Sequence, residues 1–310
     1  MHLAAAAAVT RLPAGTPGTA YAPAGAPLPA TAATRPATED HRWALRVMTF
    51  NLRYASESGP HPWSERRPVM RRLLRREQPH LLGTQEGLHG QLRDIADDLG
   101  PCYAWIGMGR AGGSHDEFGA VFYDSRRLVP DEYDQFWLSD TPSLIGSTSW
   151  GNTVIRMASW IRFTDLPTRT RFYVLNTHLD HARQYARERG AELITRRLRE
   201  LDATLPRIVT GDFNVAAHRN PVYDAMLDNG ALADTWDTAA ERGPQYATFH
   251  GYGPLVPDGD RIDWILASPS VRTLRADINT FSDGGRFPSD HLPVQAVLGF
   301  RPPEAGRRPS

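Results

Sequence analysis

Residues 207–214 read Arg-Ile-Val-Thr-Gly-Asp-Phe-Asn, so two oxygen-bearing side chains follow a β-branched run two residues apart. Side chains alternate between the two faces of an extended backbone, which places Asp212 and Asn214 on one side and Phe213 in the core. A carboxylate and an amide that point the same way can hold a hard cation or a substrate phosphate. A turn that merely closes a buried strand explains the same residues. On this segment alone the two interpretations stay open.

Similar polar residues occur at the ends of other predicted strands. Each one singly is more simply explained as structural, but strand ends of packed sheets converge on one edge of the fold, where binding sites form. With the pair above, the set is Asn51, Glu86, His178, Asp212, Asn214, Asp263, Asp290 and His291.

The residue types in this set limit the chemistry. Carboxylate and amide oxygens suit Mg²⁺ or Mn²⁺ better than Zn²⁺. The two histidines are then free for proton transfer, and Asp263 is available to orient an imidazole. The chain has no Gly-x-Ser-x-Gly nucleophile motif. A metal, an activated water and a proton donor together indicate phosphoester hydrolysis.

The elements that must position these residues are mostly strands. Alternating or β-branched runs predict strands at 45–52, 80–86, 103–108, 118–123, 136–138, 154–163, 171–179, 207–212, 261–266 and 293–300. Helical spacing of apolar residues predicts helices at about 65–76, 182–203 and 221–227, and a short one after Glu86. Strands therefore outnumber helices and occur in runs. This pattern favours an α/β (α+β) fold of two packed sheets flanked by helices.

Composition excludes several classes of function. The 310 residues carry 35 basic and 35 acidic side chains, so no strong overall field favours nucleic acid or an anionic membrane. Every basic residue is arginine, which excludes Schiff-base chemistry and a P-loop lysine. Cys102 is the only cysteine, so an internal disulfide and a thiolate zinc cluster are excluded.

The chain divides into three regions by composition. Residues 1–42 are rich in Ala, Pro, Thr and Gly and are expected to be a disordered extension, followed by a domain at 43–301 and a flexible tail at 302–310. A signal peptide is the rival interpretation of the first residues, but its apolar run is short and only His2 precedes it. We expect a cytoplasmic monomer without stable membrane insertion; processing of the N-terminal segment would instead indicate secretion.

The ordered motifs resemble the endonuclease/exonuclease/phosphatase superfamily, in particular a bacterial branch of metal-dependent hydrolases. The resemblance spans residues 45 to 300 and rests on six motifs in the superfamily's order: Thr-Phe-Asn-Leu-Arg, Gly-Thr-Gln-Glu, Asn-Thr-His-Leu-Asp-His, Gly-Asp-Phe-Asn, Arg-Ile-Asp-Trp-Ile and Ser-Asp-His-Leu-Pro-Val. It implies a four-layer sandwich of two mixed sheets, with a divalent ion, Mg²⁺ or Mn²⁺, at one end.

The resemblance also implies roles for the metal site. Glu86 would be the principal metal ligand, with Asn51 and Asp290 close to the same ion. Asp212 and Asn214 would position the water and the phosphate and could bind a second ion.

For the histidines, the resemblance implies that His291, oriented by Asp263, acts as a base or stabilises the phosphoryl oxygens. His178 would contact the phosphate or protonate the leaving group.

Two further residues are candidates for substrate contact. Arg156 could bind the substrate phosphate or form a surface ion pair. Asp180 could orient His178 or simply be solvated at a strand end. The branch usually has Gly-Glu where this chain has Asp116-Glu117, which leaves the role of Glu117 open.

The expected partner is a phosphate ester: nucleic acid, a phospholipid head group or a small molecule. Deadenylases and sphingomyelinases share the core motifs, whereas abasic-site endonucleases differ at Thr-His-Leu, and the absence of lysine disfavours inositol polyphosphates. The alternative is an inactive scaffold of the same fold that binds phosphate or nucleic acid.

Overall fold

The computed structural model describes residues 43–300, which belong to one compact unit. The extension expected at 1–42 and the tail expected at 302–310 lie outside the described residues, so both stay predictions. Between residues 43 and 300, no helix combines the length and the apolar character needed to cross a bilayer.

The described chain alternates strands with a few helices. The α-helices are α1 (Trp63–Glu77), α2 (His89–Leu99), α3 (Gln184–Glu200), α4 (Pro221–Leu227) and α5 (Thr235–Thr238). The strands are β1 (Leu45–Asn51), β2 (Leu81–Gln85), β3 (Tyr103–Ile106), β4 (Val121–Asp124), β5 (Leu128–Trp137), β6 (Met157–Asp165), β7 (Thr170–His178), β8 (Arg207–Asp212), β9 (Ala233–Asp234), β10 (Glu241–Arg242), β11 (Asp263–Ala267), β12 (Val271–Ile278) and β13 (Val294–Phe300).

These strands form two mixed sheets. The first has the order β10-β12-β13-β1-β2-β4-β3, and the second has the order β5-β6-β7-β8-β11-β9. At the centre of the first sheet, β1 pairs in parallel with β2 and antiparallel with β13. At the centre of the second, β8 pairs in parallel with β7 and antiparallel with β11. The predicted fold class, two packed mixed sheets flanked by helices, is confirmed.

Alternation along the central strands builds three apolar layers. In β1, Val47 faces the core between the sheets, whereas Met48 packs in the outer layer with Leu73 of α1. In β8, Ile208 faces the core between the sheets and Val209 packs in the layer that holds Ile194 of α3. Since both faces of each central strand are buried, these strands are apolar almost throughout.

One end of the space between the sheets is polar instead of apolar. Thr49, Gln85, Asn176 and Thr210 are all fully buried there. The Gln85 amide donates to Asn176 Oδ1 at 2.8 Å, and the Thr210 hydroxyl donates to the same oxygen at 3.0 Å. Asn176 Nδ2 donates to the Thr84 carbonyl at 2.8 Å. These bonds offset the desolvation of the buried polar groups and join the two sheets.

The opposite end is held by a buried arginine. Arg127 Nε donates to Asp165 Oδ1 of β6 at 2.7 Å, and its Nη1 donates to the Ala44 carbonyl, just before β1, at 2.7 Å. Nη1 also lies 3.1 Å from His80 Nδ1, which accepts from the Arg46 amide at 3.0 Å. Burial and the neighbouring Arg127 charge lower the pKa of His80 to about 3.

Strand β12 was not predicted from the sequence. Arg272 and Arg275 interrupt its apolar residues, and a register shift between Thr273 and Arg275 breaks the alternation. The bulge therefore hides the two-residue period that indicates a strand.

The Gly83→Ala variant tests the close approach of the sheets. A Cβ at Gly83 would lie 2.2 Å from Thr210 Oγ1 and 2.7 Å from Asn176 Oδ1. Both atoms are held in the buried network, so we expect a loss of about 2–3 kcal/mol in the free energy of unfolding, measured in urea. Gly119→Ala is the control, because its nearest atom, Ser159 Oγ, is 3.6 Å away. Equal stabilities of the two variants would contradict the close packing.

His80 makes the stability depend on pH. Its pKa is about 3 in the folded chain and about 6.5 in an unfolded chain. Below pH 6.5 only the unfolded state gains the proton, so stability is present above that pH and is lost as pH falls toward 3. We expect wild type to lose about 2 kcal/mol more than His80→Asn between pH 7 and pH 5 in urea unfolding. Parallel losses would exclude His80 as the group responsible.

Candidate active site

Residues from both sheets meet at the polar end of the fold. The first sheet supplies Asn51 at the end of β1 and Glu86 directly after β2. The second sheet supplies His178 at the end of β7 and Asp212 at the end of β8, which are register partners. Asp263 begins β11 opposite Asp212. Strand direction and register thus bring together residues far apart in sequence.

The Asn51 amide joins two carboxylates across the sheets. Its Nδ2 donates to Glu86 Oε1 at 2.9 Å and to Asp212 Oδ2 at 2.9 Å. Its Oδ1 accepts from the Arg53 backbone amide at 2.9 Å. Each N–H of the amide therefore satisfies one carboxylate, and Asn51 itself is fully buried.

Glu86 has an unusual backbone conformation. Its φ of 64° lies in the left-handed region, which costs a non-glycine residue about 1 kcal/mol or more. This turn directs the carboxylate toward Asn51 instead of along the sheet. Glu86 Oε2 also accepts from the Tyr54 backbone amide at 3.3 Å.

His291 lies between two buried carboxylates. Its Nδ1 is 3.0 Å from Asp263 Oδ2, and its Nε2 is 3.8 Å from Asp212 Oδ2. Burial alone would lower the pKa of His291, but Asp263 and Asp212 outweigh it and raise that pKa to about 10. Burial and Asp263 also raise the pKa of Asp212. At neutral pH the cluster therefore keeps a proton on His291.

His178 has the opposite environment. Burial and the nearby charges of Arg156 and His291 hold its pKa well below 6.5. Asn214 Nδ2 lies 2.9 Å from His178 Nε2 and donates to it in this neutral state. The Asn214 backbone amide also donates to Asp212 Oδ1 at 2.9 Å, with φ at 54°. The site thus contains one charged and one neutral imidazole.

Asp290 joins the site through Arg53. Its Oδ2 accepts from Arg53 Nη1 at 2.7 Å. Ser289 Oγ donates to the Asn51 carbonyl at 2.7 Å and lies 3.3 Å from Asp290 Oδ1. All eight residues predicted at strand ends are thereby linked through hydrogen bonds or short charge contacts.

Arg66 supports the loops around this site, and sequence reasoning missed it. It is 2% exposed, and its guanidinium donates only to backbone carbonyls in the described structure. Its acceptors are the carbonyls of Leu52, Arg53, Tyr54, His61 and Pro288. No sequence signal distinguishes it from the other arginines of α1.

A small recess with a volume of about 20 Å³ opens beside Glu86 and His178. Arg110, Glu117 and Arg156 also line it. We refer to this space as the recess.

Within the recess Arg110 holds Glu117 by two bonds, Nη1 to Oε2 at 2.7 Å and Nη2 to Oε1 at 3.1 Å. Asp116, where Gly is usual, has φ at 69° and accepts from Arg110 Nε at 2.8 Å. Asp116 therefore adopts the left-handed backbone that glycine favours, and its carboxylate is a second acidic partner for Arg110.

The two substrate candidates are placed differently from their predictions. Arg156 lies just before β6, not within a strand, and is 6% exposed, so the surface ion pair considered for it is wrong. Asp180 is 3% exposed, so solvation at a strand end is wrong as well. Its Oδ1 accepts from the backbone amides of Ala182 and Arg183, at 2.9 and 2.6 Å, which assigns it to the turn before α3.

A second cluster contains His218, Asp234 and Asp237. Arg261 Nη2 lies 2.8 Å from Asp234 Oδ2 and 3.5 Å from His218 Nε2. A guanidinium already supplies the positive charge there, and the cluster anchors the residues before Asp263.

Several proteins of known structure share this fold. A structure from Bacteroides thetaiotaomicron described as an endonuclease/exonuclease/phosphatase family protein is 34% identical, with a TM-score of 0.79 over 83% of this chain and 98% of that one. A mannosyl-6-phosphatase from the same organism is 34% identical, with a TM-score of 0.77 over 83% and 100%. The human nocturnin catalytic domain shares the fold at 18% identity, with a TM-score of 0.66 over 84% and 94%.

No curated protein matches the sequence significantly. The model of the endonuclease/exonuclease/phosphatase family, however, matches residues 48–291, most of the chain. That match includes all the polar strand ends from Asn51 to His291. The chain therefore belongs to the endonuclease/exonuclease/phosphatase family.

Proposed function

We propose that this chain is a phosphoester hydrolase that depends on Mg²⁺, with Mn²⁺ as an alternative. The observation that carries the proposal is the pairing of Glu86 and Asp212 across the sheets beside one charged and one neutral histidine. The family match supports the reaction class.

The donor set fits a divalent cation. Ligand atoms of Glu86, His178 and Asp212 lie within 4.8 Å of one another. Oxygen donors dominate the site, as hard cations prefer. Glu86 and Asp290 would hold the ion, together with Asn51 if its amide turns so that Oδ1 replaces Nδ2. When bound, the cation would polarise the phosphoryl group and lower the pKa of water.

The chain's own residues then position the reactants. Asp212 and the Asn214 amide hold the attacking water through hydrogen bonds. His291 carries a proton at neutral pH, so it donates to a phosphoryl oxygen and stabilises its charge instead of acting as a base. Asp263 fixes the ring of His291 through Nδ1.

His178, being neutral, contacts the phosphate without adding charge. Asn214 donates to its Nε2 and so fixes the proton on Nδ1.

The substrate is a phosphate ester of one of the three expected classes. Similarity to a mannosyl-6-phosphatase at 34% identity favours a small phosphate ester over nucleic acid or phospholipid.

A metal-dependence assay tests the proposal. A panel of single-stranded nucleic acid, phospholipid, sugar phosphates and nitrophenyl esters is incubated with Mg²⁺, Mn²⁺ or chelator. We expect turnover of at least one ester with metal and none with chelator, and a fall of about 100-fold or more in kcat/KM for Glu86→Gln. Glu200→Gln, on the exposed end of α3, is the matched control. No turnover of any ester would favour the inactive scaffold.

The Asp263→Asn variant tests the role of His291. Asn at this position can present an N–H to Nδ1 and stabilise the wrong tautomer, and it removes the charge that keeps the ring protonated. We expect kcat to fall by about 100-fold to 10,000-fold with little change in KM. The control Asp260→Asn alters an exposed carboxylate that pairs with Arg219 on the surface. A kcat equal to that of the control would contradict the assignment.

A further inference from the structure

Among residues 43–300, Arg156 is a buried cation that forms no ion pair with a carboxylate. Its side chain lies at 6% exposure, where charged groups are normally paired. Within residues 43–300 its guanidinium makes one hydrogen bond, from Nη2 to His181 Nδ1 at 3.2 Å. Its Nε has no partner in that part of the structure. Glu117 lies in the same recess, but both of its carboxylate oxygens accept from Arg110, so among the described residues Arg156 makes no direct ion pair.

The neighbouring arginines of the site are compensated. Arg53 pairs with Asp290 at 2.7 Å. Arg110 pairs with both Asp116 and Glu117, at 2.8 and 2.7 Å. Arg156 thus differs from Arg53 and Arg110, which are both ion-paired. The lack of an ion pair is therefore particular to Arg156 among the arginines of the site.

The position of Arg156 gives this charge access to a ligand. It lines the recess together with Glu86 and His178, the residues beside which the phosphoryl group would bind. His181 accepts from Nη2 and so fixes the plane of the guanidinium. The planar fork of arginine suits two oxygens of one phosphate.

We propose that Arg156 binds a non-bridging oxygen of the substrate phosphate and selects phosphomonoesters over phosphodiesters. This proposal rests on the proposed hydrolase function. A monoester dianion has two charges and three non-bridging oxygens, whereas a diester has one charge and two such oxygens. The additional unpaired cation of the recess matches the additional charge of the monoester.

The reaction that follows is balanced without an additional reactant. The oxygen of water forms a bond to phosphorus and the ester P–O bond breaks. One hydrogen of the water stays on the phosphate and the other is transferred to the leaving oxygen, so the products are hydrogen phosphate and an alcohol. Arg156 keeps its protons throughout and acts only by binding charge.

Two esters with the same leaving group test this selection: 4-nitrophenyl phosphate and methyl 4-nitrophenyl phosphate, each with Mg²⁺. For Arg156→Gln we expect kcat/KM to fall by about 100-fold or more for the monoester and by about 10-fold or less for the diester. Arg156→Lys, which keeps the charge, should recover much of the ratio between the two esters. Arg162→Gln, in β6 and paired with Asp131, should retain the wild-type ratio.

The ratio of the two kcat/KM values does not depend on how much of a preparation is folded, so partial misfolding of Arg156→Gln does not affect it. Equal losses for both esters, or no loss, would overturn the selection. Inorganic phosphate provides a readout without turnover: with Mg²⁺ it should raise the Tm of wild type and of Arg162→Gln but not of Arg156→Gln. An equal rise in the Tm of Arg156→Gln would overturn the phosphate contact. This measurement needs no turnover, so it tests the contact even if wild type hydrolyses neither ester and the proposed function fails.

Discussion

The site depends on the contact of one amide with two carboxylates. Glu86 and Asp212 come from different sheets, and Asn51 Nδ2 lies 2.9 Å from an oxygen of each. Asp212 is buried and Glu86 is half-buried, and two carboxylates in such a place repel each other unless a donor or a cation compensates them. The amide supplies that compensation and sets the separation of the sheets at this end. Below it, Gln85 donates to Asn176, and Asn176 donates to a backbone carbonyl of β2. These hydrogen bonds satisfy buried polar groups that apolar neighbours would leave without partners.

The two histidines show how position within this frame determines chemistry. His291 lies beside Asp263 and Asp212 and retains its proton, whereas His178 lies beside the Arg156 charge and remains neutral. His291 is buried and the His178 side chain is only 12% exposed, so the sign of the neighbouring charge decides between the two rings. These charge states favour one of the two roles considered for His291 in the proposed mechanism. Phosphoryl stabilisation by His291 agrees with its charge, and proton abstraction by it does not.

Much of the frame could be predicted from the sequence, since strand alternation and order place Asn51, Glu86 and Asp212 at one edge. The position of Asn176 could also have been predicted, because it precedes His178 by two residues in the same strand and the two side chains therefore point to the same face. Tertiary contacts cannot be read in this way. Arg66 donates to five backbone carbonyls, four of them more than ten residues away along the chain. Arg156 is distinctive because, in the described structure, its buried guanidinium makes a single hydrogen bond. Strand β12 was hidden by its bulge.

Anomalous diffraction from a crystal grown with Mn²⁺ and inorganic phosphate would locate both ligands at once. We expect a manganese peak at coordination distance, about 2.1 Å, from a Glu86 carboxylate oxygen, with phosphate between the metal, His291 and the Arg156 guanidinium. The cluster of His218, Asp234 and Asp237 should hold no metal, because Arg261 already supplies its positive charge. Manganese bound only at that cluster, or phosphate bound away from Glu86, would contradict the assignment of the active site.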